Sequence, residues 1–256
     1  MAFELLPNAH GSTPREFVAF FPNNFEAIEN PPLVVFLHGS AERGTDPGLV
    51  LKGLETAFQD LQLPALVIFP QCDDHHRAYY GAMDTRVIQA IDQVIAQYAV
   101  DPRRIYLVGY SMGGSSNLWL AAKHPGKIAA MVCIAPGITW IGAQAPAALP
   151  ADEKALFDSM FVAHDRPEAI ARSIGNIPVW FLQGTEDQAC PIDETRAVVS
   201  GLRQLGFAPL ETEYDGMGHD TLLTALSEDG LFEWLFSQSC NAAACDFGKA
   251  GENRNV

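Results

Sequence analysis

Five short apolar runs, LVVFL (33–37), ALVIF (65–69), IYLV (105–108), AAMVCIA (129–135) and VWFL (179–182), carry no polar alternation and are rich in β-branched and aromatic residues. A strand with one face in water alternates in polarity, so a run that does not alternate is covered on both faces, as in a parallel sheet between layers of helices. Between these runs the period changes. Val50, Leu54, Phe58 and Leu61 recur at helical spacing, as do Val87, Ile91, Val94, Ile95 and Tyr98, the second set starting just after Asp84, which is placed as an N-cap. Strands alternating with helices need right-handed crossovers, so the chain is expected to form an α/β fold, a mostly parallel central sheet flanked by helices. Sites in such sheets form at the carboxyl ends of the strands.

A chain of 256 residues that is 48% hydrophobic and 18% charged can fill one large core, and a single domain over 1–240 is expected. Residues 137–175, GITWIGAQAPAALPADEKALFDSMFVAHDRPEAIARSIG, separate two strand runs and are too long for an ordinary connection. They are helical in parts and read as a small helical cap insertion. Residues 241–256 are small and polar without apolar period, and are expected to form a loose tail.

The formal charge of −15 repels nucleic-acid phosphates and anionic lipid surfaces, so no nucleic-acid partner is expected. No apolar run approaches the roughly 20 residues that a membrane span needs. The start, MAFELLPNAHGSTPREF, has no basic segment followed by an apolar stretch, and the expected location is cytoplasmic. Five cysteines, an odd number at irregular positions that include Cys72, Cys240 and Cys245, fit reduced thiols rather than a disulfide scaffold.

One motif adds chemistry to this frame. In VGYSMGGSS (108–116) a serine stands between glycines where an apolar run stops and a helix starts. The strand, sharp turn and helix around Gly109-Tyr110-Ser111-Met112-Gly113 are the context of a G-x-S-x-G elbow, which lifts the hydroxyl above the sheet edge. A serine hydroxyl is a weak nucleophile until a base takes its proton, and the base needs an acid to orient it. His219, in the loop DGMGHDT after the β-rich LETEY (210–214), is placed as the base; Asp187, three residues after Gly184 in VWFLQGTEDQACPID, is placed as the acid. Glu186 is the adjacent alternative, and Asp215 and Asp220 stand very close to His219 along the chain. The N–H of Met112 and that of Ser40, in FLHGSAERG (36–44), are the expected oxyanion donors.

Other residues carry two readings. His38 is a brace for its loop or a second base, and Glu42 and Arg43 are a solvated pair or a brace for the oxyanion loop. The cluster CDDHH (72–76) offers metal-ligand types on a single short loop, whose neighbours rarely all converge, so it is read as a solvated loop and no metal is expected. Trp140, Ile141, Phe157, Met160 and Phe161 line an acyl pocket or are the packing of the cap itself. Tyr110, Trp140 and Ile141 are the substrate-binding candidates.

PPLVVFLHGSAERG, FPQC, DPRRIYLVGYSMGG, PVWFLQGTED and GMGHD, spanning 31–220, together resemble the α/β-hydrolases. They are most similar to the carboxylesterase and phospholipase or predicted-peptidase branch related to dienelactone hydrolases. The resemblance implies Ser111 as nucleophile, Asp187 as acid and His219 as base. It implies a cofactor-independent serine hydrolase acting on carboxylic esters of small to medium size through an acyl-enzyme. A peptidase or acyl-thioesterase with the same triad, or a non-catalytic ligand receptor on the hydrolase fold, are the alternatives. The chain departs from the branch in lacking the cysteine nucleophile of dienelactone hydrolases proper, in having DDHHRAYY after PQC, and in the length of the segment between Ala135 and Val179.

Overall fold

Each unalternating run becomes a strand of one eight-stranded sheet, ordered β1-β2-β4-β3-β5-β6-β7-β8. The computed structural model describes residues 2–8, 15–144 and 149–240; the expected tail, 241–256, and Cys245 lie outside them. The strands are β1 (Ala2–Asn8), β2 (Arg15–Phe21), β3 (Leu33–Leu37), β4 (Leu66–Phe69), β5 (Ile105–Tyr110), β6 (Ala130–Ile134), β7 (Val179–Gly184) and β8 (Leu210–Tyr214). From β4 to β8 every neighbouring pair is parallel; β1 and β2 form an antiparallel hairpin on one edge. The strand pleat explains the missing alternation. Leu33, Val35 and Leu37 of β3 face one apolar layer, and Val34 and Phe36 face the other.

The first layer holds α2 (Ala82–Tyr98), α3 (Met112–Lys123), α6 (Arg166–Ile174) and α7 (Ile192–Gln204); the second holds α1 (Glu55–Leu61), α8 (Leu222–Leu226) and α9 (Leu231–Ser237). The helical period at 50–61 is divided between a 3-10 turn at Pro47–Leu51 and α1. Residues 138–174 contain α4 (Ile138–Ala143), α5 (Ala151–Phe157), a π-turn at Asp158–Val162 and α6. Phe157, Met160 and Phe161 are buried in the first layer, with the Phe157 ring 5.7 Å from that of Trp119, so they serve packing.

Asp84 is not an N-cap. Gly81 occupies that position, and Asp84, one turn in, is fully buried and faces α3. It accepts from Trp119 Nε1 at 2.8 Å and from Lys123 Nζ at 2.9 Å, and Lys123 also reaches Glu153 of α5 at 2.9 Å. A short polar side chain near a helix start satisfies orphan amides only when it folds back on its own backbone; here a half-buried cation from another helix holds it instead. Among the described residues, no helix is long and apolar enough to cross a membrane.

Candidate active site

Three strand ends meet around Ser111. β5 stops at Tyr110, α3 starts at Met112, and Ser111 between them has φ 53° and ψ −113°, a backbone conformation that L side chains rarely adopt. Such a residue costs on the order of 1–3 kcal/mol and persists only where its surroundings hold it. Here its N–H donates to Ile134 O of β6 at 2.8 Å. A Cβ at Gly113 would stand 1.9 Å from Leu37 O, so only glycine lets the start of α3 approach the end of β3 this closely.

His219 follows β8. Its Nδ1 lies 2.8 Å from Asp187 Oδ2 and its Nε2 lies 3.0 Å from Ser111 Oγ. A carboxylate can only accept, so Nδ1 carries the hydrogen and Nε2 presents its lone pair to the serine hydroxyl. Asp187, after β7, is buried and fully partnered. Oδ1 accepts the N–H groups of Ala189 and Cys190 at 2.9 and 2.8 Å, and Oδ2 accepts Gln183 Nε2 at 3.2 Å as well as His219. Glu186, Asp215 and Asp220 are exposed, so among these acids it is Asp187 that the fold brings to the imidazole. The loop carrying His219 closes tightly on β7: a Cβ at Gly184 would stand 2.2 Å from Met217 O.

Gln183 escapes the sequence reading, although a lone amide ending the apolar run VWFL is its visible signal. Thr195 Oγ1 donates to Gln183 Oε1 at 2.6 Å, which turns the amide so that Nε2 faces Asp187. The line of hydrogen bonds Thr195, Gln183, Asp187, His219 and Ser111 is therefore continuous, buried as far as Asp187 and half-buried at its last two members.

Ser40 opens a 3-10 turn, Ser40–Glu42, directly after β3, and Met112 is the first residue of α3. The N–H of a first helical residue has no partner within its own helix. The loop before Ser40 is braced by His38. Cys72 N–H donates to its Nε2 at 3.0 Å, so Nδ1 carries the hydrogen and donates to Gly39 O at 2.6 Å. Burial pushes the pKa of His38 down to about 4, against the pull of the Gly39 carbonyl. This neutral, doubly bonded ring braces the loop.

The sign of its contribution to stability follows. In the unfolded chain His38 binds a proton near its ordinary 6.5 and in the folded chain only near 4, so the folded state loses stability as pH falls through that window. Urea unfolding is expected to show a loss approaching about 3 kcal/mol from this residue between pH 7 and pH 4, and His38→Gln is expected to flatten that slope.

Arg43 donates from Nε to Ser40 O at 3.0 Å and from Nη1 to His76 O at 3.2 Å, which is the bracing role. In CDDHH, Asp73 Oδ1 accepts the N–H groups of His75 and His76 and contacts His76 Nδ1 at 2.5 Å, while Oδ2 pairs with Arg86 at 3.0 Å. The His75 side chain is exposed and pairs with Asp74, so these groups build a turn rather than converge. Tyr110 lies beside the site, its ring 5.3 Å from that of His219 and its hydroxyl bonded to His219 O at 3.1 Å. Trp140 is half-buried beside Gly137, which in turn abuts Cys190 Sγ. Ile141 is fully buried among core side chains, where solvent does not reach it.

The family model described as the prolyl oligopeptidase family matches residues 81–231, well over half of the sequence and the stretch that holds Ser111, Asp187 and His219. The chain belongs to the prolyl oligopeptidase family. Membership bears out the expected place among the α/β-hydrolases. The chain is 29% identical over 128 residues to a bifunctional acetylxylan esterase/xylanase, XynS20E, of Neocallimastix patriciarum, covering 48% of this chain but only 18% of that relative. Among solved structures, a thermostable esterase superposes with a TM-score of 0.69 at 24% identity over 93% of this chain and 63% of its own. A ferulic acid esterase does so with 0.67 at 16% identity over 92% and 97%. These likenesses show a shared fold.

Proposed function

We propose that the protein is a serine hydrolase that cleaves carboxylic esters of small to medium size through an acyl-enzyme. The alignment of Ser111 Oγ, His219 and Asp187, at 3.0 and 2.8 Å, carries this reading. His219 Nε2 takes the hydroxyl proton as Ser111 Oγ attacks the ester carbonyl. Asp187 stays ionised and stabilises the imidazolium. The N–H groups of Ser40 and Met112 hold the oxyanion, and the start of α3 adds its positive end to the same spot. His219 then gives its proton to the departing alkoxide. A water that His219 deprotonates attacks the acyl carbon, and the acid leaves. None of these steps needs a metal or cofactor.

We propose likewise that the segment 137–175 serves as a cap and that its Trp140, with Tyr110, contacts the substrate. Esters are favoured by the relatives named as acetylxylan and ferulic acid esterases. The family model and an acylaminoacyl peptidase of Pyrococcus horikoshii, similar with a TM-score of 0.64 at 15% identity over 98% of this chain and 43% of its own, favour a second reading, peptide hydrolysis by the same triad. A fluorophosphonate is expected to label one serine, Ser111, stoichiometrically. In a panel of acetyl, feruloyl and short aryl esters, thioesters and acylated peptides, the esters are expected to show the highest kcat/KM. Preferred cleavage of the peptides overturns the ester reading. Absence of both labelling and turnover, with tight reversible binding of a ligand, makes the protein a receptor.

Gln183→Leu is expected to lower kcat by roughly tenfold, about 1.4 kcal/mol, because the acid loses a donor that holds it towards His219. KM is expected to stay near its original value, since Gln183 does not face the substrate.

A further inference from the structure

Cys190 has no part in the hydrolytic steps, yet its thiol stands at the reacting atoms. Its side chain interacts with the Ser111 hydroxyl, and ligand atoms of Asp187, Cys190 and His219 all lie within 4.8 Å of one another. It is the one such group of three metal-ligating side chains among the described residues. Burial and the Asp187 carboxylate push the Cys190 pKa up to about 12, so the thiol is protonated at neutral pH and does not compete with Ser111 as nucleophile.

We infer that Cys190 and His219 form a chelating site for a soft divalent cation, zinc or cadmium, whose occupation blocks the proposed hydrolase. The first ligand is Cys190 Sγ, which gives its proton to solvent as the sulfur–metal bond forms. The second is His219 Nε2, whose lone pair faces the same Ser111 hydroxyl that the Cys190 side chain reaches. Ser111 Oγ, next to both, is the third ligand, and water completes a tetrahedral set. Asp187 acts from behind. All its lone-pair directions are taken by N–H donors, one of them His219 Nδ1, so it supports the ligand as the outer carboxylate of a carboxylate–histidine–metal arrangement. The side chain of His219 is 28% exposed, which opens the site to solvent. Thiolate and imidazole select soft or borderline cations; magnesium and calcium, which want oxygen ligands, are excluded. The geometry that orients the base for catalysis is also the one that orients it for a metal. A cation on Nε2 removes the lone pair that must accept the serine proton.

Inhibition rests on the proposed ester hydrolysis, whereas binding does not, and the test separates the two. Cadmium is titrated into the protein and into Cys190→Ala and Cys190→Val, reading the ultraviolet cadmium–thiolate charge-transfer band. Ester hydrolysis is titrated in parallel with zinc, cadmium and magnesium, each variant scaled to its own metal-free rate. The wild-type chain is expected to show a band that both variants lack. Zinc and cadmium are expected to inhibit the wild type, and at least about tenfold more weakly in the variants, the floor for losing even an outer partner of a metal ligand. Magnesium is expected to have no effect. An equal band in all three proteins, or inhibition untouched by either substitution, overturns the site. If no ester is cleaved, a Cys190-dependent band that weakens in His219→Ala still supports it.

Discussion

Ser111→Ala is expected to lower ester hydrolysis by on the order of 10^4- to 10^6-fold and to abolish labelling by a fluorophosphonate. The loss is large because the hydroxyl, the imidazole and the carboxylate act as a unit. Without the oxygen nothing receives the acyl group, and His219 has no proton to take. For the same reason Ser111→Ala with His219→Ala is expected to be scarcely worse than Ser111→Ala alone, a non-additivity that separates a working triad from two independently useful side chains. The substitution removes one oxygen and keeps a Cβ on the same backbone, so the melting temperature is expected to stay close to that of the parent. Hydrolysis that persists unchanged in Ser111→Ala would end the mechanism proposed for this site.

The second large effect concerns stability. Lys123→Met removes the ammonium that meets Asp84 at 2.9 Å while keeping an apolar stem of similar length. The Asp84 side chain is 1% exposed and keeps the Trp119 N–H and the Thr85 hydroxyl, both neutral donors, so a carboxylate is left buried without the Lys123 counter-charge. Breaking a buried pair in this way costs about 3 kcal/mol or more, against the few tenths that an exposed pair contributes. At roughly 2–4 °C per kcal/mol for a domain of this size, the melting temperature is expected to fall by about 6–12 °C. Adding Asp84→Asn is expected to recover part of the loss, because the orphaned charge is then gone. Thermal unfolding of the three proteins measures it; a double variant no more stable than Lys123→Met would mean that packing around Trp119, rather than charge, holds these helices.

Much of this was legible before any coordinates. The runs at 33–37, 105–108 and 179–182 announce their strands because both faces of the sheet are covered, and strand ends are where an α/β sheet gathers its loops. The meeting of Ser111, Asp187 and His219 follows from the same logic, since each stands just beyond a strand. The hairpin of β1 and β2 is less visible: its outer strand keeps Leu5 half in water and Leu6 buried, and it carries Glu4 and Pro7, a mixture that resembles a surface loop. Asp84 misleads because the same residue type caps a helix or, when buried, pairs with a cation from elsewhere in the fold, and its partner, Lys123, is 39 residues away. Helical spacing likewise places Trp140 and Ile141 on one short helix without saying that Ile141 turns to the core. The tautomer of His38 and the orientation of Gln183 depend on Cys72 N–H and Thr195 Oγ1, contacts across the fold that no local pattern contains.

The backbone at Ser111 has a consequence for how activity arises during synthesis. Its φ of 53° is held by the carbonyl of Ile134, downstream, and by the fit of Gly113 under the carbonyl of Leu37, far upstream. A nascent chain that has emerged only as far as the glycine-flanked serine lacks the first of these restraints and relaxes to an ordinary turn. The bent backbone at the serine is thus set only once β3, β5 and β6 lie side by side, and the hydroxyl stays harmless to neighbouring polypeptides until the loops after β7 and β8 add the acid and the base.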